Sequence, residues 1–313
     1  MDKIPVITIL GPTASGKTSL SIELAKKFNG EIVSADSMQI YKNMDIANAS
    51  PTEKEKDNIR HHMMNFLEPK ESFSVADYVN LANLAVEDII ARNKNVFLVG
   101  GTGLYIDSLL NNIHFTSDSF SSEIRNELQA LYEENGVDYL LDIIKEFDND
   151  SYNRLKTEKN PKRIIRCIEV FKTTGITQTE LNLVSVSTPS KYKALKIGLK
   201  SEDRNFLYDR INNRVDLMLE NGLLQETINF YNNTSSMTSS MAIGYKELKP
   251  YIDHKDSLEN CIEKLKMSTR RYAKRQLTWF KKDSEINWFN IDIKSHDDIV
   301  SSCKKLIGEF LNG

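Results

Sequence analysis

The stretch Gly11-Pro12-Thr13-Ala14-Ser15-Gly16-Lys17-Thr18 constrains this chain more than any other. It stands between an apolar run, Ile4 to Leu10, and a helical pattern that puts Leu20, Leu24 and Phe28 on one face. The order is strand, glycine-bounded loop, helix, with the spacing G-x-x-x-x-G-K-T. Gly11 and Gly16 let the backbone wrap tightly and come close to a ligand. Successive N–H groups and the helix N-terminus then form a nest for phosphate oxygens. Lys17 reaches a terminal phosphate, and the Thr18 hydroxyl is placed to ligate Mg2+. The loop alone names neither the phosphorylated molecule nor the bond that breaks.

The rest of the chain tells what surrounds the loop. Glu31 to Ser34 is β-prone and leads into Asp36-Ser37. Residues 52–60 are nearly all polar and read as a surface helix or mobile loop. Ser74 N-caps a helix to about Arg92, in which Val75, Tyr78, Val79, Ala82, Val86, Ile89 and Ile90 keep the 3.6 period. Val96 to Val99 is continuously apolar, as a parallel strand buried on both faces would be, and stops at Gly100-Gly101-Thr102-Gly103. Strands alternating with helices predict a parallel α/β sheet with right-handed crossovers. Ligands of such sheets bind outside the carboxyl ends of the strands. The 11–18 loop, Asp36-Ser37 and the segment Gly100 to Tyr105 all fall there.

From about Asn111 to Pro189 helical periods take over, at 122–132, 137–147 and 161–173. Pro161 suits a first helical turn and Gly175 a helix end. The expected fold is therefore a P-loop-containing parallel sheet flanked by helices. Its core is built from residues 1–110 and 190–313, and residues 111–189 form an all-helical insertion. Lys193 to Leu199 reads as a returning strand and 202–219 as a helix stopped by Asn221-Gly222. A polar loop at 232–240, a long helix at 258–282 and a last strand at 287–291 complete the reading.

Composition narrows the class of protein. The 313 residues are 40% hydrophobic and 27% charged, an ordinary globular balance. The first apolar run has seven residues and reads as a strand, not a signal peptide. All apolar runs fall far short of the roughly 20 residues that span a membrane. Cys167, Cys261 and Cys303 are scattered, without metal-ligand spacing, which fits a reducing cytoplasm. A net charge of −3 argues against a uniformly basic nucleic-acid coat but leaves room for a local basic face.

Several residues are candidates for chemistry. The strand Val96–Val99 ends in glycines, not in the metal-holding acid of an ordinary P-loop hydrolase. Asp36 is then the carboxylate best placed near the phosphates, as a Mg2+ partner or a general base; its alternative is a turn-capping role. The glycines around Thr102 allow either a substrate or a tight turn. His61-His62 resembles a metal pair, but adjacent side chains share no face, so loop or substrate-contact roles are preferred. Arg210 and Arg214 share a helix face, where Asp209, Asp216 and Glu220 would make them merely solvated. Lys162, Arg163 and Arg166 crowd one helix, and Lys264 to Lys282 carries eight Lys or Arg and no acid. Such segregated positive charge is what a polyanion partner requires, RNA included. Tyr272, Trp279 and Phe280 within it are read as core rather than as base-stacking groups.

The ordered set of motifs resembles the tRNA dimethylallyltransferases, also called tRNA isopentenyltransferases. The motifs are Gly-Pro-Thr-Ala-Ser-Gly-Lys-Thr (11–18), Asp-Ser-Met-Gln-Ile-Tyr-Lys-Asn-Met-Asp-Ile (36–46) and Val-Gly-Gly-Thr-Gly-Leu-Tyr (99–105). Asn-Pro-Lys-Arg-Ile-Ile-Arg (160–166), residues 210–219, Ala-Ile-Gly-Tyr-Lys-Glu (242–247) and residues 271–280 follow. The resemblance spans nearly the whole chain. It implies that the phosphate loop holds dimethylallyl diphosphate rather than ATP. It implies Asp36 as general base on an adenine N6 amine, and Thr13, Lys17 and Thr18 on diphosphate and Mg2+, with Thr18 the metal ligand. Arg214 would contact the diphosphate. The other substrate would be the anticodon stem-loop of tRNAs reading U-initial codons, with the adenosine 3′ of the anticodon flipped out of its stack. Contacts to tRNA are implied for Asp36, Ser37, Met38 and Gln39, for Thr102, and for Arg125. Further contacts are implied for Lys162, Arg163, Ile164, Ile165 and Arg166, and for Met241, Ala242, Ile243, Gly244, Tyr245 and Lys246. The enzyme is expected to be a cytoplasmic monomer without membrane contact. Two departures stand out: Ala47-Asn48-Ala49-Ser50 replaces the family's Gly-Thr-x-Lys, and Asn65 replaces its Asp.

Two other classes compete. An ATP-using small-molecule kinase would need an acid after the third strand, which Val99-Gly100-Gly101 lacks. A GTPase-like RNA-binding switch would need an Asn-Lys-x-Asp motif, which is absent from the sequence.

Overall fold

The computed structural model describes residues 3–111, 122–187, 189–233 and 239–313. In chain order the first elements are β1 (Ile4–Leu10), α1 (Lys17–Lys27), β2 (Gly30–Ala35), α2 (Glu53–Lys56), β3 (His61–His62), α3 (Val75–Ala91), β4 (Asn95–Gly100) and α4 (Gly103–Leu110). Four helices follow: α5 (Ser122–Phe147), α6 (Asn149–Glu158), α7 (Pro161–Thr174) and α8 (Gln178–Ser187). The chain continues with β5 (Tyr192–Lys200), α9 (Arg204–Glu220), α10 (Leu223–Asn233) and a 3₁₀ turn, Ser239–Met241. It ends with α11 (Tyr245–Ile252), α12 (Leu258–Phe280), β6 (Asn287–Asn290) and α13 (His296–Asn312). Two compact units result: Met1–Leu110 with Lys191–Gly313, and Asn111–Ser190.

In the first unit all six strands run parallel, in the order β3-β2-β4-β1-β5-β6. Ile7 and Ile9 of β1, Ile32, Phe97, Ile197 and Leu199 share one buried cluster with Leu20 and Leu24 of α1 and Val300 and Ile307 of α13. On α3 and α4, Tyr78 stacks on Tyr105 with ring centres 4.0 Å apart. A further cluster joins Ile40, Tyr41 and Met44 to Val215, Phe230, Tyr245, Leu248 and Leu265 of α9 to α12. Local signals set several boundaries: Ser74 caps α3 in a capping box with Asp77, and Thr52 does the same for α2 with Glu55.

The second unit is helical throughout its described residues and has its own core, with Leu128, Leu140, Ile144, Ile164, Ile165 and Ile168 buried together. Asn160 caps α7, Pro161 sits in its first turn, and Gly175 closes it at φ 70°. Gly136, at φ 79°, breaks α5 where the sequence predicts two helices.

Structure adds to the sequence reading in four places. The helix α13 follows what reads as the last strand; its Ile299, Val300, Cys303 and Ile307 keep a helical period and cover the sheet. Helices α6, α8, α10 and α11 also go beyond the sequence reading. The expected loop at 232–240 overlaps α10 through Asn233 and a 3₁₀ turn from Ser239, while 234–238 lie outside the described residues. His61-His62 forms a short edge strand on β2 rather than a loop. There His62 Nε2 is 2.8 Å from Glu31 Oε2 and His61 Nδ1 is 2.8 Å from the Ile59 carbonyl. The three cysteines are free and buried, and no helix among the described residues is long and apolar enough to cross a membrane.

Glu31, 2% exposed, accepts from Arg92, Lys94 and His62. Arg92 first, then Lys94 and His62, outweigh burial and hold its carboxyl far below the usual range. A carboxyl lowered by folding stabilises the native state above its unfolded pKa of about 4.3 and ceases to do so as pH falls through its folded value. Glu31→Gln is expected to cost about 2 kcal/mol at pH 7. In urea unfolding the gap between the two proteins should shrink steadily below about pH 4.

Candidate active site

Three strand ends lie side by side at one edge of the sheet. Gly100 of β4 pairs with Leu10 of β1 and with Ala35 of β2. The turn after β4 then ties itself to the turn after β2. Thr102 N–H donates to the Ala35 carbonyl at 3.0 Å, and Ser37 N–H donates to Thr102 Oγ1 at 3.1 Å. The phosphate loop is pressed against β5: a Cβ on Gly11 would lie 2.5 Å from the Leu199 carbonyl oxygen. Lys17 Nζ folds back to donate to the Pro12 carbonyl at 2.7 Å, and Arg210 Nε of α9 donates to the Ala14 carbonyl at 2.8 Å. Gln276 of α12 accepts from Thr13 N–H at 2.9 Å and donates to the Gly101 carbonyl at 3.0 Å. Gly101 makes room for that amide, a role neither sequence reading named: a Cβ there would lie 2.1 Å from Gln276 Nε2.

A cavity of about 300 Å3 opens beside the loop. Thr13, Lys17, Thr18, Asp36 and Arg214 are among its polar lining, and Val99, Val215, Met218, Ile243 and Leu265 among its apolar lining. Ser37, Met38, Gln39, Met241, Ala242 and Lys246 also line it, with Tyr272, Arg275 and Gln276. A second cavity, of about 1110 Å3, is lined by Ala14, Ser15, Gly16, Ser19, Arg210 and Asn213, among others. Lys17, Thr18, Arg214, Ala49 and Met218 line both.

The electrostatics suit an anion. Burial, reinforced by the neighbouring Arg214 charge, pushes Lys17 down to about 7, with Asp36 acting in the opposite sense. Burial also lowers Arg214, again opposed by Asp36. Two cations held together under desolvation gain from any anion that joins them. Asp36 Oδ1 accepts from Met38 N–H at 3.0 Å, so the turn-capping role is real and coexists with a carboxylate on the cavity wall. Tyr272, which lines the cavity, has its phenol pushed upward by burial. Thr18 and Asp36 are hard oxygen donors on the same cavity. No group of three or more His, Cys, Asp or Glu residues is arranged for a metal among the described residues. As hard oxygen donors Thr18 and Asp36 fit Mg2+.

Other expected residues lie differently. Tyr245 is buried with its hydroxyl donating to Glu226 at 3.0 Å, and Ile164 and Ile165 are packed in the second unit's core. These three expected tRNA contacts thus have buried side chains in this structure. Ala242 is equally buried but still forms part of the cavity wall, and Gly244 N–H is taken by Glu247 at 2.9 Å. In the second unit Arg125 and Arg166 both donate to buried Glu169 at 3.0 Å, Arg163 pairs with Glu158, and Lys162 is exposed. The basic run of α12 is partly structural, since Lys264 pairs with Asp256, Lys266 with Asp216, and Arg270 donates to Asn212.

Sequence reasoning assigned no role to Gln276 or Met218, counted Arg275 only among the cations of a polyanion-binding stripe, and took Tyr272 only as core. A signal existed: Tyr272, Gln276 and Trp279 recur at helical spacing amid the charges. Glu226 was also missed. It accepts from Ile46 and Ala47 N–H at 2.9 Å each and so fixes the divergent loop from within α10. The divergent Asn65 has a physical partner too: its Nδ2 donates to Asp45 at 2.6 Å, which an aspartate there could not do unless protonated.

The family model described as IPP transferase matches residues 39–283. A tRNA dimethylallyltransferase of Caldanaerobacter subterraneus subsp. tengcongensis is 42% identical over 316 residues, covering 99% of this chain and 98% of the relative. One of Bacillus cytotoxicus is 46% identical over 287 residues, covering 91% and 90%. The crystal structure of a full-length tRNA isopentenylpyrophosphate transferase from Bacillus halodurans superposes with a TM-score of 0.74 at 38% identity, covering 99% and 98%. A eukaryotic dimethylallyltransferase acting on tRNA superposes with a TM-score of 0.81 at 30% identity, covering 98% of this chain and 80% of that one. With its phosphate loop, its cavity and this full-length likeness, the chain belongs to the IPP transferase family.

Proposed function

We propose that this protein transfers a dimethylallyl group from dimethylallyl diphosphate to N6 of the adenosine 3′ of the anticodon in tRNAs reading U-initial codons. The observation that carries the reading is the mixed lining of the cavity: Lys17 of the phosphate loop, Arg214 of α9 and the Asp36 carboxylate share it with apolar side chains. That combination suits a diphosphate with a short hydrocarbon tail better than it suits ATP. Lys17, Arg214 and the loop N–H groups grip the diphosphate, so negative charge gathering on the leaving group is met by fixed positive charge. The C1–O bond breaks as N6 attacks C1, and the N6 proton passes to Asp36. Mg2+, which Thr18 would hold, would supply further charge neutralisation. The apolar lining of Val215, Met218 and Leu265 excludes water from an allylic centre gaining cationic character. Arg125, Lys162, Arg163 and Arg166 of the second unit, with Thr102, Met241 and Lys246 of the first, are the proposed contacts to the anticodon stem-loop. An ATP-dependent kinase is the competing reading; incubation with labelled dimethylallyl diphosphate, Mg2+ and unmodified tRNA discriminates, since ATP turnover without labelled RNA would exclude prenyl transfer.

Asp36→Asn keeps an oxygen to accept from Met38 N–H but removes the base. Its turnover should drop by about 10²–10⁴-fold with tRNA binding retained. Prenyl transfer at close to the wild-type rate would take Asp36 out of the base role.

Lys17 generates a second prediction. With a pKa of about 7 in the free protein, it loses charge as pH rises through 7, whereas a bound diphosphate restores it. Binding above pH 7 should therefore take up protons, and affinity for inorganic diphosphate should fall from pH 7 to 9 relative to Lys17→Arg, which stays charged. Calorimetry in buffers of different ionisation enthalpy measures the uptake.

A further inference from the structure

Gln276 sits on α12, far in sequence from the phosphate loop, and is 5% exposed. Its amide is used at both ends, accepting from Thr13 N–H at 2.9 Å and donating to the Gly101 carbonyl at 3.0 Å. Thr13 N–H shares one rigid peptide plane with the Pro12 carbonyl. That carbonyl is the acceptor that holds Lys17 Nζ at 2.7 Å. The two ends of a trans peptide point in opposite directions, so whatever fixes the N–H also fixes where the carbonyl aims. The Gly101 anchor matters equally, because a Cβ there would strike Gln276 Nε2 at 2.1 Å and displace the amide.

We infer that Gln276 is a positioning residue for Lys17, acting through the Pro12–Thr13 peptide. The inference rests on the reading that Lys17 grips the donor diphosphate. Without Gln276 the peptide plane has no partner at its N–H end and is free to rotate. The Pro12 carbonyl then leaves Lys17, and the ammonium no longer stands where the diphosphate arrives. The coupling runs in one chain of contacts: Gly101, Gln276, the Pro12–Thr13 plane, Lys17. It also gives the Gly-Gly run after β4 a purpose in the reaction that does not require it to touch substrate.

The test is a double-mutant cycle on binding of inorganic diphosphate with Mg2+, followed by calorimetry, with melting temperature and tRNA affinity measured alongside. Gln276→Leu should weaken diphosphate binding about tenfold, the effect of one lost hydrogen bond, and leave tRNA affinity unchanged. Gly101→Ala should reproduce that loss. In a Lys17→Met background, Gln276→Leu should have no further effect on diphosphate binding, because the group it positions is gone. An equal additional loss in that background would show a merely structural role and overturn the inference, as would wild-type affinity in Gln276→Leu. Failure of the wild-type protein to bind diphosphate would instead overturn the donor-site reading on which the inference stands. A measurement on the wild-type chain alone guards against a variant that does not fold. The Thr13 amide should be strongly protected from hydrogen exchange, and exchange at the rate of a free amide would refute the bond.

Discussion

Gly100 is bonded across to Leu10 on one side and to Ala35 on the other, so three parallel strands end in line. Everything chemical in the first unit depends on that register. A parallel sheet sends each strand's carboxyl end to the same edge, and the loops that follow must meet there. The phosphate loop, Asp36 and Thr102 come together although up to 91 residues separate their sequence positions. The meeting is then locked by short bonds: Thr102 N–H to the Ala35 carbonyl, and Ser37 N–H to Thr102 Oγ1. Shifting β4 by one residue would turn its side chains over and separate these turns.

On that frame the charges are placed at a cost. Lys17 and Arg214 are both lowered by burial, and each suffers where water has been removed. Asp36 offsets part of this but forms no ion pair with either among the described residues. Two demands therefore meet at one cavity, negative charge for these cations and apolar contact for the side chains that share its lining. A ligand with an anionic head and a hydrocarbon tail answers both demands at once, which is the physical content of the family likeness.

Helix α12 shows how a charged run divides its labour. The eight cations of Lys264 to Lys282, six of them on this helix, look like one polyanion-binding stripe in the sequence, yet Lys264, Lys266 and Arg270 are engaged with partners in their own unit. Along the helix Tyr272 lines the cavity, Gln276 bonds to Thr13 and Gly101, and Trp279, exposed rather than in the core, donates to Asp107. Arg275, over the Tyr272 ring, points to the cavity. The helix is thus first a strut for the phosphate loop.

The sequence alone determined the phosphate loop, the parallel α/β class, the change to helices after residue 110, and the family resemblance. These are local patterns: a strand–glycine–helix spacing, continuous apolar runs, caps such as Ser74 and Asn160. Asp36 and Lys17 were legible because strand ends and glycine loops carry their own chemistry. Tertiary structure decided what depends on partners distant in the chain. It showed that Gly101 makes room for a side chain 175 residues away, and that Glu226 holds the divergent 46–47 loop. It turned Tyr245, Ile164 and Ile165 inward, and it made His61-His62 an edge strand rather than a loop. Hydrogen bonds and burial are properties of pairs in space, and a sequence specifies its pairs only once the chain has folded.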